Sequence, residues 1–209
     1  MSFVDPVGED FDCEKTQQTF ERIREVFEIQ EIPLIYRYLA VVPALLQDFF
    51  MNFRKYVAGN GKLDPRTRLL IATAVAGNSG VLMLVQYLET LSAARGVTRT
   101  QMTEAIAVAS ANSMYNSLFK FRDLSGSGVF DGMGVGLRAH TFTGTSLDAQ
   151  TVELINISLS NINGCKPCTS GHVLKAQELK VSDEAIYEAI QCASTIVSGA
   201  QFLRSIGVA

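Results

Sequence analysis

Cys165-Lys166-Pro167-Cys168 brings two thiols within one helical turn, and His172 follows four residues later. In a helix, positions 165, 168 and 172 are i, i+3 and i+7, so one face carries both sulfurs and an imidazole. Asn163-Gly164 is a turn pair that starts this helix at the first cysteine. The partial positive charge of a helix N-terminus and the full charge of Lys166 both favour thiolate, the nucleophilic form. Two cysteines at this spacing can close into a disulfide, so a sulfenic acid on one is resolved by the other before over-oxidation. Glu153 lies on the preceding helix, which begins at Asp148; there Glu153, Asn156, Ser160 and Asn163 form a polar stripe opposed by Val152, Ile155, Leu159 and Ile162. In so apolar a chain the stripe is expected to line a pocket. Packed as a hairpin, the two helices would bring Glu153 and His172 to Cys168 as a proton relay.

Plainer readings of the same residues stay open. The C-x-x-C could bind zinc with His172, but a structural site takes four ligands, no second pair lies nearby, and the only other histidine is His140. A structural disulfide is disfavoured in a cytoplasmic chain of this size. Glu153 alone would be an ordinary solvated charge. Cys13 and Cys192 read as bystanders, and Phe49, Phe50 and Phe53 as core or subunit contact. Thioredoxin also has proline before its second cysteine, but in a βαβ setting that this helical pattern lacks.

The elements that must position these groups are all helical. The chain has 209 residues, 47% hydrophobic and 19% charged, with a net charge of −3, which suits helices buried on more than one face and excludes disorder and a phosphate-tracking surface. Nucleic acid is not an expected partner. Glu14 to Ile29 places Phe20, Ile23, Val26 and Phe27 on one helical face; Pro33 starts the next helix, and Pro43 bends or divides the pattern from Leu34 to Val57. Asp64-Pro65 reads as an N-cap and first turn, and Thr98 caps a helix bearing Met102, Ile106, Ala109, Tyr115, Phe119 and Phe121. Six glycines between Leu124 and Ser146 make that stretch a loop. Leu69 to Leu88 is uncharged and of membrane-spanning length, but Ala76-Gly77-Asn78-Ser79-Gly80 would break a span at its centre, so helix, turn, helix is expected. Met1 to Asp12 is acidic and shows no secretory pattern, so a cytoplasmic protein is expected, without membrane attachment.

The chain also repeats. At an offset of 84 residues Leu63-Asp64 meets Leu147-Asp148, Gly80 meets Gly164, Thr98 meets Ser182, and Glu104-Ala105-Ile106 meets Glu188-Ala189-Ile190. Residues 1–209 are therefore read as one all-α domain: N-terminal helices, then two pseudo-symmetric three-helix repeats over 63–123 and 147–206 joined by the glycine-rich loop 124–146. Leu69, Val81, Leu84 and Leu88 of the first copy stand where the second has Glu153, Cys165, Cys168 and His172. The fold is content with hydrophobes at these positions, so the polar set is there for chemistry.

Glu153, eleven residues, Cys165-x-x-Cys168, three residues and His172 together resemble the AhpD alkylhydroperoxidase family of the carboxymuconolactone decarboxylase superfamily. The resemblance runs from Ile32-Pro33-Leu34-Ile35-Tyr36-Arg37 and Val42-Pro43-Ala44-Leu45-Leu46 through both repeats. It implies an all-helical duplicated fold assembled as a trimer or hexamer, and a peroxidase acting on organic hydroperoxides without cofactor or metal. It also implies that Cys168 is the inner, peroxidatic cysteine, that Cys165 resolves it and exchanges with an external dithiol, from a lipoyl protein or a peroxiredoxin partner, and that Glu153 and His172 relay protons. The family's best-studied members carry histidine just before the second cysteine, where this chain has Pro167, so a hydrogen-bonding group beside the nucleophile is missing. Two other readings are weighed against the peroxidase: a decarboxylase-like enzyme on the same scaffold, for which the dithiol is dispensable, and a non-enzymatic redox or zinc-binding interaction protein.

Overall fold

A computed structural model describes residues 2–208. Among these residues the chain forms nine α-helices and no strand. Three helices precede the repeats: α1 (Glu14–Phe27), α2 (Leu34–Leu39) and α3 (Pro43–Asn52), the last running into a π-helical turn over Phe53–Ala58. Pro33 and Pro43 stand at helix starts, where a missing N–H costs nothing, so the apolar run from Leu34 is divided rather than bent. Phe20 and Ile23 of α1 are buried and Val26 is exposed; the helix ends at Phe27, with Glu28 in the left-handed region (φ 54°). Phe49, Phe50 and Phe53 are core: they surround Tyr36, whose hydroxyl meets that of Tyr87 at 3.0 Å, and Phe27 closes the group.

The first repeat comprises α4 (Pro65–Asn78), α5 (Leu82–Thr90) and α6 (Arg99–Leu124); the second comprises α7 (Ala149–Ile162), α8 (Lys166–Glu178) and α9 (Asp183–Ser205). Each of the three helix starts in one set lies 84 residues from its counterpart in the other. The caps correspond as well. Asp64 accepts from the Thr67 amide at 3.0 Å, Asp148 from the Thr151 amide at 2.8 Å, and the two threonine hydroxyls meet at 3.4 Å where α4 and α7 cross. Gly80 and Gly164 both occupy the left-handed region (φ 71° and 65°), turning the first helix of each repeat back into the second. The apolar stretch from Leu69 is thus broken at that turn, and no helix among the described residues is long and apolar enough to cross a membrane.

The repeats are interlocked. Glu188 of α9 accepts from the Lys62 and Leu63 amides ahead of α4, and Glu104 of α6 accepts from the Ser146 amide and hydroxyl ahead of α7. Each copy's third helix therefore holds the other copy's entry, while α4 packs against α9 and α6 against α7. Between α6 and α7 the glycine-rich stretch contains two 3-10 turns, Gly128–Phe130 and His140–Phe142. The second lays Phe142 between Tyr115 and the edge of the His172 ring.

Candidate active site

Cys165 is the N-cap of α8, and its carbonyl accepts from Thr169 at 2.9 Å, the first bond of that helix. Pro167 sits in the first turn, where helix geometry needs no N–H, which is how the sequence fits proline between the cysteines. The two sulfurs are bonded to each other, with Cα atoms 5.3 Å apart. Both cysteines are buried within the single chain, Cys165 1% and Cys168 8% exposed. The Cys165 amide is tied to the Ser160 carbonyl at 2.9 Å across the Gly164 turn, which holds the N-cap against the end of α7.

One turn beyond Cys168, His172 Nδ1 lies 2.7 Å from Glu153 Oε2. Glu153 is 2% exposed, and its other oxygen is 2.6 Å from Lys175 Nζ. Burial alone would raise this carboxyl's pKa, but the hydrogen bonds and positive charges of His172 and Lys175 outweigh it and hold Glu153 below the ordinary carboxylate range. Because Glu153 is ionised, the ring nitrogen facing it carries the hydrogen of this contact. The contact fixes the orientation of an imidazole that shares a helix face with Cys168.

The linkage has a definite sign. A carboxyl whose pKa is lowered by folding stabilises the native state above its unfolded value, near 4.5, and that contribution is lost as pH falls through the lower folded value. Urea titrations should show the advantage of the parent chain over Glu153→Gln shrinking progressively below pH 4.5. A gap that stays constant down to pH 3 would contradict the pairing.

Lys175 was not singled out by the sequence, although its spacing of i+3 from His172 and i+7 from Cys168 puts it on their face. The expected pocket along the α7 stripe is also corrected. Asn156 and Ser160 are fully buried against Asn112 and Asn116 of α6. Only the Asn163 end opens, into a groove of about 650 Å³ bordered by Lys120, Phe121 and Leu124. The opposing face of α7 is apolar core, as its pattern requires. Of the remaining cysteines, Cys13 stands at the N-cap position of α1 with no side-chain capping bond, and Cys192 is buried with its thiol pushed up to about 12 by desolvation. His140 is exposed on the glycine-rich segment.

Residues 44–120 and again 133–209 match the Carboxymuconolactone decarboxylase family. Alkyl hydroperoxide reductase AhpD of Koribacter versatilis (strain Ellin345) is 30% identical over 161 residues, spanning 76% of this chain and 81% of that protein. The protein of the same name from Bradyrhizobium sp. (strain ORS 278) is 27% identical over 169 residues, 80% of this chain and 91% of the relative. That from Solibacter usitatus (strain Ellin6076) is 34% identical over 104 residues, 50% and 59% of the two chains. The double match mirrors the two sets of helices, and together with these relatives it establishes that the chain belongs to the carboxymuconolactone decarboxylase family, among its AhpD-like members.

Proposed function

We propose that this protein is a thiol-dependent peroxidase that reduces organic hydroperoxides to alcohols. The observation that carries the reading is the bonded Cys165–Cys168 pair on the same helix as His172, whose imidazole is held by the buried Glu153 carboxylate. In the reduced enzyme the Cys168 proton passes to His172 Nε2, and the thiolate attacks the terminal oxygen of R–O–O–H. The O–O bond breaks, the alkoxide takes the proton from His172 and leaves as ROH, and Cys168 becomes a sulfenic acid. The Cys165 thiol then attacks the Cys168 sulfur, releasing water and forming the disulfide. A dithiol carrier, such as a lipoyl group or a peroxiredoxin partner, returns two electrons by exchange at Cys165. Cys165 is 1% exposed in the single chain, so exchange there calls for the Gly164 turn to open. The AhpD names of the relatives support the same chemistry. A cytoplasmic homo-oligomer, trimeric or hexameric, fits the reading.

The test is anaerobic. Reduced protein mixed with one equivalent of an organic hydroperoxide should consume it and form a Cys165–Cys168 bond, mapped by mass spectrometry of the unreduced digest. No consumption and no bond would reject the peroxidase and return attention to decarboxylase-like chemistry.

A further inference from the structure

Glu153 divides its two oxygens between two residues of α8: Oε2 lies 2.7 Å from His172 Nδ1, and Oε1 lies 2.6 Å from Lys175 Nζ. The carboxylate side chain is 2% exposed, the imidazole 19% and the lysine 53%, so the contacts run from the interior out to solvent. An ion pair between two exposed side chains is worth little, because water screens both charges. Here one partner is out of water, and a buried carboxylate depends on the charges beside it. Only one of its two partners is a permanent cation. A lysine keeps its charge throughout the neutral range, whereas an imidazole gains and loses its own within it.

The repeat singles out the same residue. At the 84-residue offset Lys175 stands opposite Leu91, which packs against the core, just as Glu153 stands opposite Leu69 and His172 opposite Leu88. Carboxylate, imidazole and ammonium thus replace three leucines of the sister copy together. The charges that act on Glu153 are those of His172 and Lys175. On the elements packed around the pair, Arg68 of α4 is held by Glu188 of α9, Glu104 of α6 binds Ser146, and the Tyr115 hydroxyl of α6 donates to the Leu137 carbonyl. The His140–Phe142 turn lays a phenyl ring, not a charge, against His172, and His140 itself is exposed. Along α8 the titratable group on the other side of His172 is Cys168, one turn earlier.

We propose that Lys175 is a positioning residue of this site: it gives Glu153 a fixed counter-charge, so that His172 is left uncharged and free to take the Cys168 proton. This rests on the peroxidase reading above. Without the lysine, the only cation available to the buried carboxylate would be the imidazolium, and an imidazolium cannot accept the proton of the thiol. The sign follows from electrostatics. Removing a positive charge beside two coupled groups favours the proton on either of them, so the Glu153–His172 pair takes up its proton at higher pH. Lys175 acts through the carboxylate and needs no contact with sulfur or substrate.

The chain has two histidines, so the ring signals of the reduced protein can be followed separately by NMR, with His140→Gln to assign them. Lys175→Met removes the charge and keeps the apolar stem; Lys175→Gln serves if the methionine variant does not fold, judged by helical circular dichroism. Lys175→Arg keeps the charge. In Lys175→Met the midpoint followed at His172 should rise by about 1 pH unit relative to the parent. The acid limb of Cys168 oxidation by cumene hydroperoxide should move with it, a loss of about 10-fold in rate at a pH on that limb. Lys175→Arg should stay within about 0.3 pH units of the parent in both measurements. A charge-removing variant that titrates as the parent does would overturn the proposal. So would an arginine variant displaced as far as the methionine one, or a displaced ring signal with an unmoved rate limb. If the parent protein itself fails to react with the hydroperoxide, the peroxidase reading falls and Lys175 loses its part in it, a result visible before any variant is made.

Discussion

Cys168→Ser should lose peroxide reduction by at least about 1,000-fold, whereas Cys165→Ser should consume a single equivalent per chain and stop. Serine nearly preserves the shape at 168, but its hydroxyl does not ionise near neutrality and its oxygen cannot take up a second oxygen as sulfur does. In Cys165→Ser the sulfenic acid forms with no thiol beside it. Cys192 does not substitute, because it is buried against the Arg68 carbonyl and its thiol is pushed up to about 12. The product should therefore be a Cys168 sulfenic acid, 16 mass units heavier and trapped by dimedone, in assays free of added thiol. Full activity in both variants would remove the dithiol cycle. Activity kept by Cys168→Ser and lost by Cys165→Ser would exchange the two roles.

The placement of the two cysteines on α8 separates their expected roles. Cys168 is a single turn from His172. Cys165 is closed over by the Ser160 carbonyl and the Gly164 turn. On the proposed mechanism, attack at Cys168 needs an entry path and reduction through Cys165 needs the α7–α8 turn to open, so regeneration would depend on mobility at the start of α8.

Much of this arrangement was legible in the chain because it depends on local chemistry. Asp64, Thr98, Asp148 and Ser182 each accept from the third residue of the helix they begin, so four starts could be read from capping residues alone. The 84-residue offset isolated Glu153, Cys165, Cys168 and His172 because hydrophobic counterparts showed that packing did not require them. Lys175 stayed hidden because a lysine on an exposed helix face looks like any solvated charge until a buried carboxylate is found beneath it. The α6 amides stayed hidden for a different reason: their partners lie on another helix more than forty residues away, and only packing brings them together. The repeat nevertheless carried a signal. Asn112 and Asn116 stand opposite Ile196 and Ala200, and Asn156 and Ser160 opposite Ala72 and Ala76, so the second polar set departs from its sister copy as plainly as the first. The predicted pocket became a filled network because those amides occupy the space that the polar stripe faces.

The same comparison points to a structural charge in the other half of the molecule, and to the largest stability effect expected here. Where the second repeat has Val152, the first has Arg68, fully buried. Its guanidinium donates to the Gly59 carbonyl at 2.7 Å and the Lys55 carbonyl at 3.2 Å, tying down the π-helical turn, and it is paired with Glu188 of α9. Glu188→Ala would leave that cation buried without its counter-charge and would release the Lys62 and Leu63 amides, a loss of about 3–5 kcal/mol in urea unfolding. Glu104, its counterpart, also holds an inter-repeat entry through Ser146, but the residue equivalent to Arg68 in the second repeat is Val152. Glu104→Ala should cost only about 1 kcal/mol, the ordinary worth of partly exposed hydrogen bonds. Adding Arg68→Met to Glu188→Ala should recover a large part of the lost stability, since the penalty comes mainly from the unpaired charge. Equal losses for the two glutamates, or no recovery in the double variant, would mean that the inter-repeat amide contacts, and not the buried ion pair, hold the N-terminal half against α9.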